Sequence, residues 1–398
     1  MSPGFTARGE VAVAGFAQSP IARHADRPLG AIAIDTALTA IADAGIVPEQ
    51  IDGFVTGSLL PTAGGQAAVD GVSIVTANWM AEQLRINPRF CSGFQGYGQI
   101  PGAVMMAVNA VASGAADYVL MHRALHNPPG RYHENPMTEA RGYAQWTAPQ
   151  GFWGPLSTIA LPYNEYLQRY GATRDAMATV VTEARANGAR IPWSYWYERP
   201  ITPADYLEAR VISDPIGILD CDIPVDGVAA FVFTTAERAR DLPHPPVYVA
   251  GYAQGSPSVP RLPSHWPLDD IMDAGFVLAR RLEDHSGLSL ADIDLPQLYD
   301  GFSPFIYFWL ESLGYCGVGE AHAFVQDGRI ATDGGLPILS GGGALGNGRM
   351  HGVPQMLECY LQLSGRAGDR QLPERSLGLA CHSSPHFGGA VLYTNQQL

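Results

Sequence analysis

The sequence predicts an α/β protein made of two copies of one strand–helix unit, and three observations carry that expectation. The first is an internal repeat: VAVAGFA at residues 11–17 returns as VYVAGYA at 247–253, and both runs lead through Gln to a Ser-Pro pair. The second is alternation of strand and helix patterns in each half, which implies a mostly parallel sheet covered by helices. The third is a segment, Ala103–Ala112, that is apolar around nearly its whole circumference and so is expected to be buried on most sides.

The elements follow in order. After the first repeat strand, a helix is expected over Ala31–Ala44; after the second, over Leu268–Asp284. Each leads into a matching phrase, Gly45-IVPEQ-Ile51-Asp52 and Gly287-LSLAD-Ile293-Asp294, then a strand at Gly53–Gly57 or Leu295–Gly301. A repeat of this length is a structural half rather than a solenoid unit. Gly114 should cap the buried helix, with Tyr118–His122 as the next core strand. The later half offers a counterpart helix near Gly352–Leu363 and a strand at Leu377–Cys381. We expect one half over residues 1–242 and the other over 243–398. Between about 124 and 214 the pattern breaks, with Trp153, Trp193 and Trp196 among many Pro and Tyr. That stretch reads as an insertion walling a pocket or interface, or equally as a large loop packed on its own aromatics.

Composition narrows the function classes. Hydrophobic residues make up 46% of the 398, ample for large cores, so disorder is not expected. The net charge of −14 repels phosphate backbones and anionic lipid, which argues against nucleic acid and membrane partners. MSPGFTARGEVAV lacks the pattern of a signal peptide. The best apolar run, Gly102–Met121, is interrupted by Asn109, Ser113 and Asp117. Cys91, Cys221, Cys316, Cys359 and Cys381 are scattered without a CxxC, so neither a disulfide framework nor a zinc site in this chain is expected. A reducing cytoplasm fits. The glycine runs 93–98 and 343–348 have the wrong order for GxGxxG, and no GxSxG occurs, which argues against nucleotide-binding and serine-hydrolase readings.

Several phrases together resemble the thiolase superfamily over nearly the whole chain. AVNAVASGAADYVL (107–120) is similar to the family's nucleophile helix and following strand. ISDPIGILDCDIPVDGVAAFVFTTAERARD (212–241) resembles the end of its first half, and HFGGAVLYT (386–394) its closing strand. Leu298-Tyr299-Asp300-Gly301-Phe302 stands at the Asn-Glu-Ala-Phe motif, and GGGALGNGRMHG (341–352) at Gly-His-Pro. The resemblance implies a five-layered αβαβα fold. Leu-Tyr-Asp, GRMHG and LECYLQLSGRAGDRQL (357–372) look most like the sterol-carrier-protein-x and nonspecific lipid-transfer branch. That branch includes aldolases that shorten steroid side chains by cleaving a β-hydroxyacyl-CoA without an acyl-enzyme, working with a small OB-fold companion. The resemblance thus implies an acyl-CoA substrate, no cofactor in this chain, a homodimer and such a companion.

Counted back from Gly114 as in the family, the nucleophilic cysteine's place falls on Tyr97; Cys91 lies six residues upstream and would need a gap. The second family cysteine falls near Ser383 or Ser384. A scaffold without its thiolate can still stabilise the enolate that retro-aldol cleavage produces. Tyr299, in place of the family asparagine, is the first catalytic candidate, and His351, just past the family histidine's place, is the second. Strict alignment puts Arg349 there instead. Tyr97, Asn347, His386 and Gly343 are expected to line the substrate, with His382 a weaker candidate, and Asp300 is read as structural. Two alternatives stay open: a thiolase-type acyltransferase using Cys91, and a non-catalytic acyl-CoA-binding subunit.

Overall fold

The computed structural model of the protein describes residues 5–57, 75–94, 98–127, 139–142, 144–152, 154–259 and 266–398. Eleven strands are found among them. Nine form one sheet: β1 (Val11–Gln18), β2 (Gly53–Thr56), β3 (Phe90–Gly93), β4 (Tyr118–Leu125), β7 (Gly227–Thr235), β8 (Val247–Gln254), β9 (Leu295–Gln297), β10 (Leu377–His382) and β11 (Gly389–Thr394). The other two, β5 (Val211–Ser213) and β6 (Ile216–Gly217), make a small hairpin.

Strand order is β3-β2-β4-β7-β1-β8-β11-β10-β9, and the duplication is visible in it. In the first half β7 runs antiparallel to both β1 and β4, and β4 parallel to β2. In the second half β11 runs antiparallel to both β8 and β10, and β10 parallel to β9. Among the described residues the β1–β8 ladder has just two pairs, Ala12↔Tyr248 and Val13↔Val247, so the sheet is two sheets touching through the repeated strands. The sheets are mixed, which corrects the mostly parallel expectation. The strand ending each half (β7 or β11) enters between its neighbours in the opposite direction, and strand–helix alternation alone cannot reveal such an insertion.

Layering follows from side-chain period. In β7, Val228, Ala230 and Val232 pack outward with Ala33, Ala37 and Ile41 of helix α1 (Leu29–Asp43). Ala229, Phe231 and Phe233 point the other way, into a cluster shared with helix α3 (Gln99–Ala112) and helix α13 (Val353–Leu363). Helix α3 touches β2, β4 and β7 of one sheet and β8, β10 and β11 of the other. It is the buried helix the sequence predicts, and Gly114 follows it at φ +74°. Beyond the second sheet lie α9 (Leu268–Ser286) and α10 (Phe305–Ser312), which bury Leu278, Leu282, Phe308 and Trp309. Helix, sheet, helix, sheet, helix is the five-layer order.

The break between β4 and β5 is not one loop: it carries α5 (Gly154–Tyr170), α6 (Arg174–Gly188) and α7 (Pro203–Glu208). Trp153 lies outside the described residues. The Arg185 guanidinium sits 3.5 Å over the Trp196 ring, so that tryptophan is held by α6. Among the described residues no helix is long and apolar enough to cross a membrane.

Candidate active site

Segments of both halves meet around the end of β9. Strand β9 stops at Gln297, and Leu298 N–H turns away to donate to Ile338 O. Tyr299 and Asp300 therefore leave the ladder and face different neighbours. Asp300 enters the glycine-rich turn, where its carboxylate accepts from Ala344 N at 2.6 Å, Leu345 N at 3.1 Å and Gln355 Nε2 at 3.0 Å. Burial still pushes its pKa up to about 7.

The turn is built around that carboxylate. Gly343, at φ +57°, leaves the room: a Cβ there would lie 2.3 Å from Asp300 Oδ2. Asn347 spends its amide on the carbonyls of Gly341 (2.6 Å) and Gly343 (2.8 Å), closing helix α12 (Gly343–Asn347). The insertion buttresses the turn from behind. Ser194 Oγ donates to Gly346 O, Tyr195 N to Asn347 O, and Asn187 Nδ2 to Leu339 O. The backbones of Gly188 and Gly346 touch so closely that a Cβ on Gly188 would come within 1.9 Å of the Gly346 oxygen. Gly343 and Asn347, expected as substrate contacts, are thus committed to the turn's own geometry.

His351 follows at φ +50°, a left-handed conformation that a non-glycine residue adopts at a cost on the order of 1 kcal/mol. Its Nδ1 lies 2.8 Å from Arg123 Nη2 of β4, and its Nε2 lies 2.8 Å from Arg349 Nε. Burial and the two guanidiniums drive its pKa well below the ordinary histidine value. A neutral imidazole has one lone pair and guanidiniums only donate, so one contact is a hydrogen bond and the other sets donor against donor. Taking up a proton would put three positive charges together, which removes His351 as an easy proton carrier. Burial lowers Arg349 to about 9 and Arg123 to about 10, so both remain charged at neutral pH.

Tyr299 and His382 face each other beside this group, with ring centroids 4.6 Å apart. His382 and His351 are 6.0 Å apart. Burial, then Asp222 and Asp300, raises the Tyr299 phenol well above its usual value, while Arg123 pulls the other way. The phenol therefore rests protonated. Asp222, 4.0 Å from Arg349 Nε, is raised well above the carboxylate range by burial and by Asp300.

His386 and Cys91 lie elsewhere. Tyr97 is outside the described residues. The His386 ring stacks on Trp266 at 5.8 Å and meets Phe387 edge-on at 4.6 Å, so it packs among aromatics near α9. Cys91 lies on the edge strand β3, its Sγ donating to Asn78 Oδ1 at 2.8 Å. Burial raises all five thiols: Cys91, Cys221, Cys316 (to about 12), Cys359 and Cys381. None is poised as a thiolate. Sequence reasoning missed Arg123 and Asp222, which come from the other half and show no local motif.

Residues 276–391 match the family described as Thiolase C-terminal domain-like. The 17-hydroxy-3-oxo-4-pregnene-20-carboxyl-CoA lyase of Mycobacterium tuberculosis is 34% identical over 90% of this chain and 92% of its own length. The chain belongs to the thiolase superfamily. Within the superfamily it is also 34% identical to the steroid side-chain-cleaving aldolase of Thermomonospora curvata, over 90% of this chain and 91% of that protein. The solved structure of an Ltp2-ChsH2(DUF35) aldolase superposes with a TM-score of 0.85 at 30% identity, covering 98% of this chain and 99% of that one. The resemblance to the aldolase branch, first carried by Leu-Tyr-Asp and GRMHG, is thus matched by whole-chain similarity.

Proposed function

We propose that this superfamily member is a carbon–carbon lyase that splits a bulky β-hydroxyacyl-CoA, of steroid or related side-chain type, by retro-aldol cleavage. The observation that carries the reading is a buried, protonated Tyr299 at the family's asparagine position, in a chain whose five thiols are all raised by burial. The 34% identity to two lyases of this kind supports the substrate class.

Tyr299 exchanges protons in one movement. The substrate's β-hydroxyl proton passes to the phenol oxygen, and the O–H electron pair becomes the new C=O bond. The Cα–Cβ pair is left on Cα, conjugated with the thioester, and the original phenol proton goes to Cα. The products are a ketone and a shortened acyl-CoA, and the tyrosine is unchanged. Arg123 offsets the anionic character on the phenol oxygen during the transfer. His351 is a positioning residue that holds one of the two guanidiniums through its single lone pair.

A homodimer and a small OB-fold companion complete the proposal. The companion is supported by the two-component aldolase that this chain resembles over its length. The dimer is supported by the edge strand β3, which has one ladder partner among the described residues. The test is co-expression with a candidate companion and an assay for ketone and acyl-CoA release. Tyr299→Phe should lower kcat roughly 10²- to 10⁴-fold, the usual contribution of a proton-transfer residue. Activity within threefold of wild type would sink the assignment.

A further inference from the structure

His382 is 3% exposed at the end of β10, yet neither ring nitrogen has a hydrogen-bond partner among the described residues. Buried polar groups are nearly always partnered, so two open nitrogens on one buried ring mark a position that a ligand completes. The ring is not there as filler. Gly352, at φ +88°, clears space for it: a Cβ at 352 would lie 2.8 Å from His382 Cδ2. On its other side is the Tyr299 ring at 4.6 Å. In the sequence this histidine is a weaker candidate, beside the place of the family's second cysteine near Ser383 or Ser384.

We infer that His382 is a catalytic residue that donates a ring N–H hydrogen bond to the substrate's thioester oxygen as that oxygen becomes an enolate. This rests on the retro-aldol reading of Tyr299. The proton transfers of Tyr299 take place at the β-oxygen and at Cα, and the charge that develops is shared with the thioester oxygen one carbon beyond. A donor in ring contact with Tyr299 is within reach of that oxygen. Burial, Arg123 and Arg349 hold the imidazole neutral, with a pKa of about 3, so at neutral pH it presents one N–H and takes no proton of its own. A neutral imidazole donor stabilises an enolate without needing to be recharged after each turnover.

The experiment reads two reactions in the full chain with its companion: cleavage of a β-hydroxyacyl-CoA, and exchange of the α-hydrogens of propionyl-CoA in deuterated water. Exchange needs the enolate but no carbon–carbon cleavage. His382→Ala should lower both rates about 10²- to 10³-fold, the range for removing one oxyanion donor, with KM within about threefold. His382→Gln and His382→Asn carry amide N–H groups near the two ring nitrogens, and one of them should recover at least tenfold of the loss. A purely structural role would move the melting temperature and KM and would not be rescued by an amide. Exchange in His382→Ala within threefold of wild type overturns the inference; where wild type shows no exchange, because Tyr299 takes the α-proton only while passing its own to a carbonyl oxygen, cleavage in His382→Ala within threefold of wild type overturns it. Wild-type exchange without cleavage would refute the lyase reading and leave the His382 donor to stand on its variants. If His382→Ala does not fold, histidine-labelled wild type is titrated with propionyl-CoA and followed by NMR. The resonance missing from His382→Gln must then shift on saturation; a resonance that stays put overturns the inference.

Discussion

Two buried clusters of ionisable groups among the described residues are finished to different degrees. Around Asp220, Tyr206 Oη donates at 2.6 Å, Ser303 Oγ at 2.5 Å and Gly217 N at 2.7 Å, with the Arg174 guanidinium at 3.5 Å. Both carboxylate oxygens are engaged. The cluster of Tyr299, His382, His351, Arg123 and Arg349 is as deeply buried, but it holds a donor-against-donor contact and a histidine with two open nitrogens. A network whose acceptor is fully engaged ties β6 and α7 to the segment that carries α10, although Arg174 Nε and Nη2 at its edge have no hydrogen-bond partner among the described residues. An unsatisfied one costs stability in the free protein and is kept where a ligand completes it.

That contrast can be broken by paired substitutions. Asp220→Ala should leave two hydroxyls and an N–H unpartnered and destabilise by on the order of 3–5 kcal/mol. Tyr299→Phe should abolish most turnover while shifting the urea midpoint little. If urea unfolding shows the reverse pattern, the division into structural and functional clusters is wrong. Next in size is Gly343→Ala, which meets both a positive φ and the Asp300 carboxylate; a loss of about 2–3 kcal/mol is expected, with activity falling alongside. A smaller effect separates the two kinds of buried charge by pH. His382 has a folded pKa of about 3, below the unfolded value of about 6.5, so the unfolded chain protonates first on acidification. Stability from this neutral ring is present above about pH 6.5 and is lost as pH falls toward 3. Between pH 7 and 5.5, wild type should lose about 1 kcal/mol more than His382→Gln in urea titrations; equal losses would deny the buried neutral state. The smallest effect belongs to Cys91→Ala, for which turnover should stay within twofold. A tenfold loss would revive thiolase-type chemistry.

Much of the fold could be read from the chain because it is written twice. VAVAGFA and VYVAGYA became β1 and β8, which sit side by side at the join, and the matching phrases after them became the short 3₁₀ turns Pro48–Gln50 and Leu290–Asp292. Strand direction was not readable, since a pattern of burial is the same for a parallel and an antiparallel neighbour. The helices of the insertion were hidden by Pro162 within α5 and by dense aromatics. At the site, Tyr299 and His351 stood out because they replace or adjoin family motif positions. Arg123 did not, because what matters is its reach across from β4, a contact between residues 228 apart in sequence. Asn347 and Gly343 could not be divided between two roles from sequence, for a physical reason: a glycine-rich turn near a reactive centre offers backbone to a ligand and to its own neighbours alike. Here Asp300 and α6 take it up.

The most direct measurement is of wild-type protein, co-purified with a candidate OB-fold companion and given a β-hydroxyacyl-CoA with a ring-bearing tertiary alcohol. The account predicts equimolar ketone and shortened acyl-CoA, formed without added free CoA and without an acyl adduct on any cysteine by mass spectrometry. Turnover that requires free CoA and passes through an acylated cysteine would contradict it.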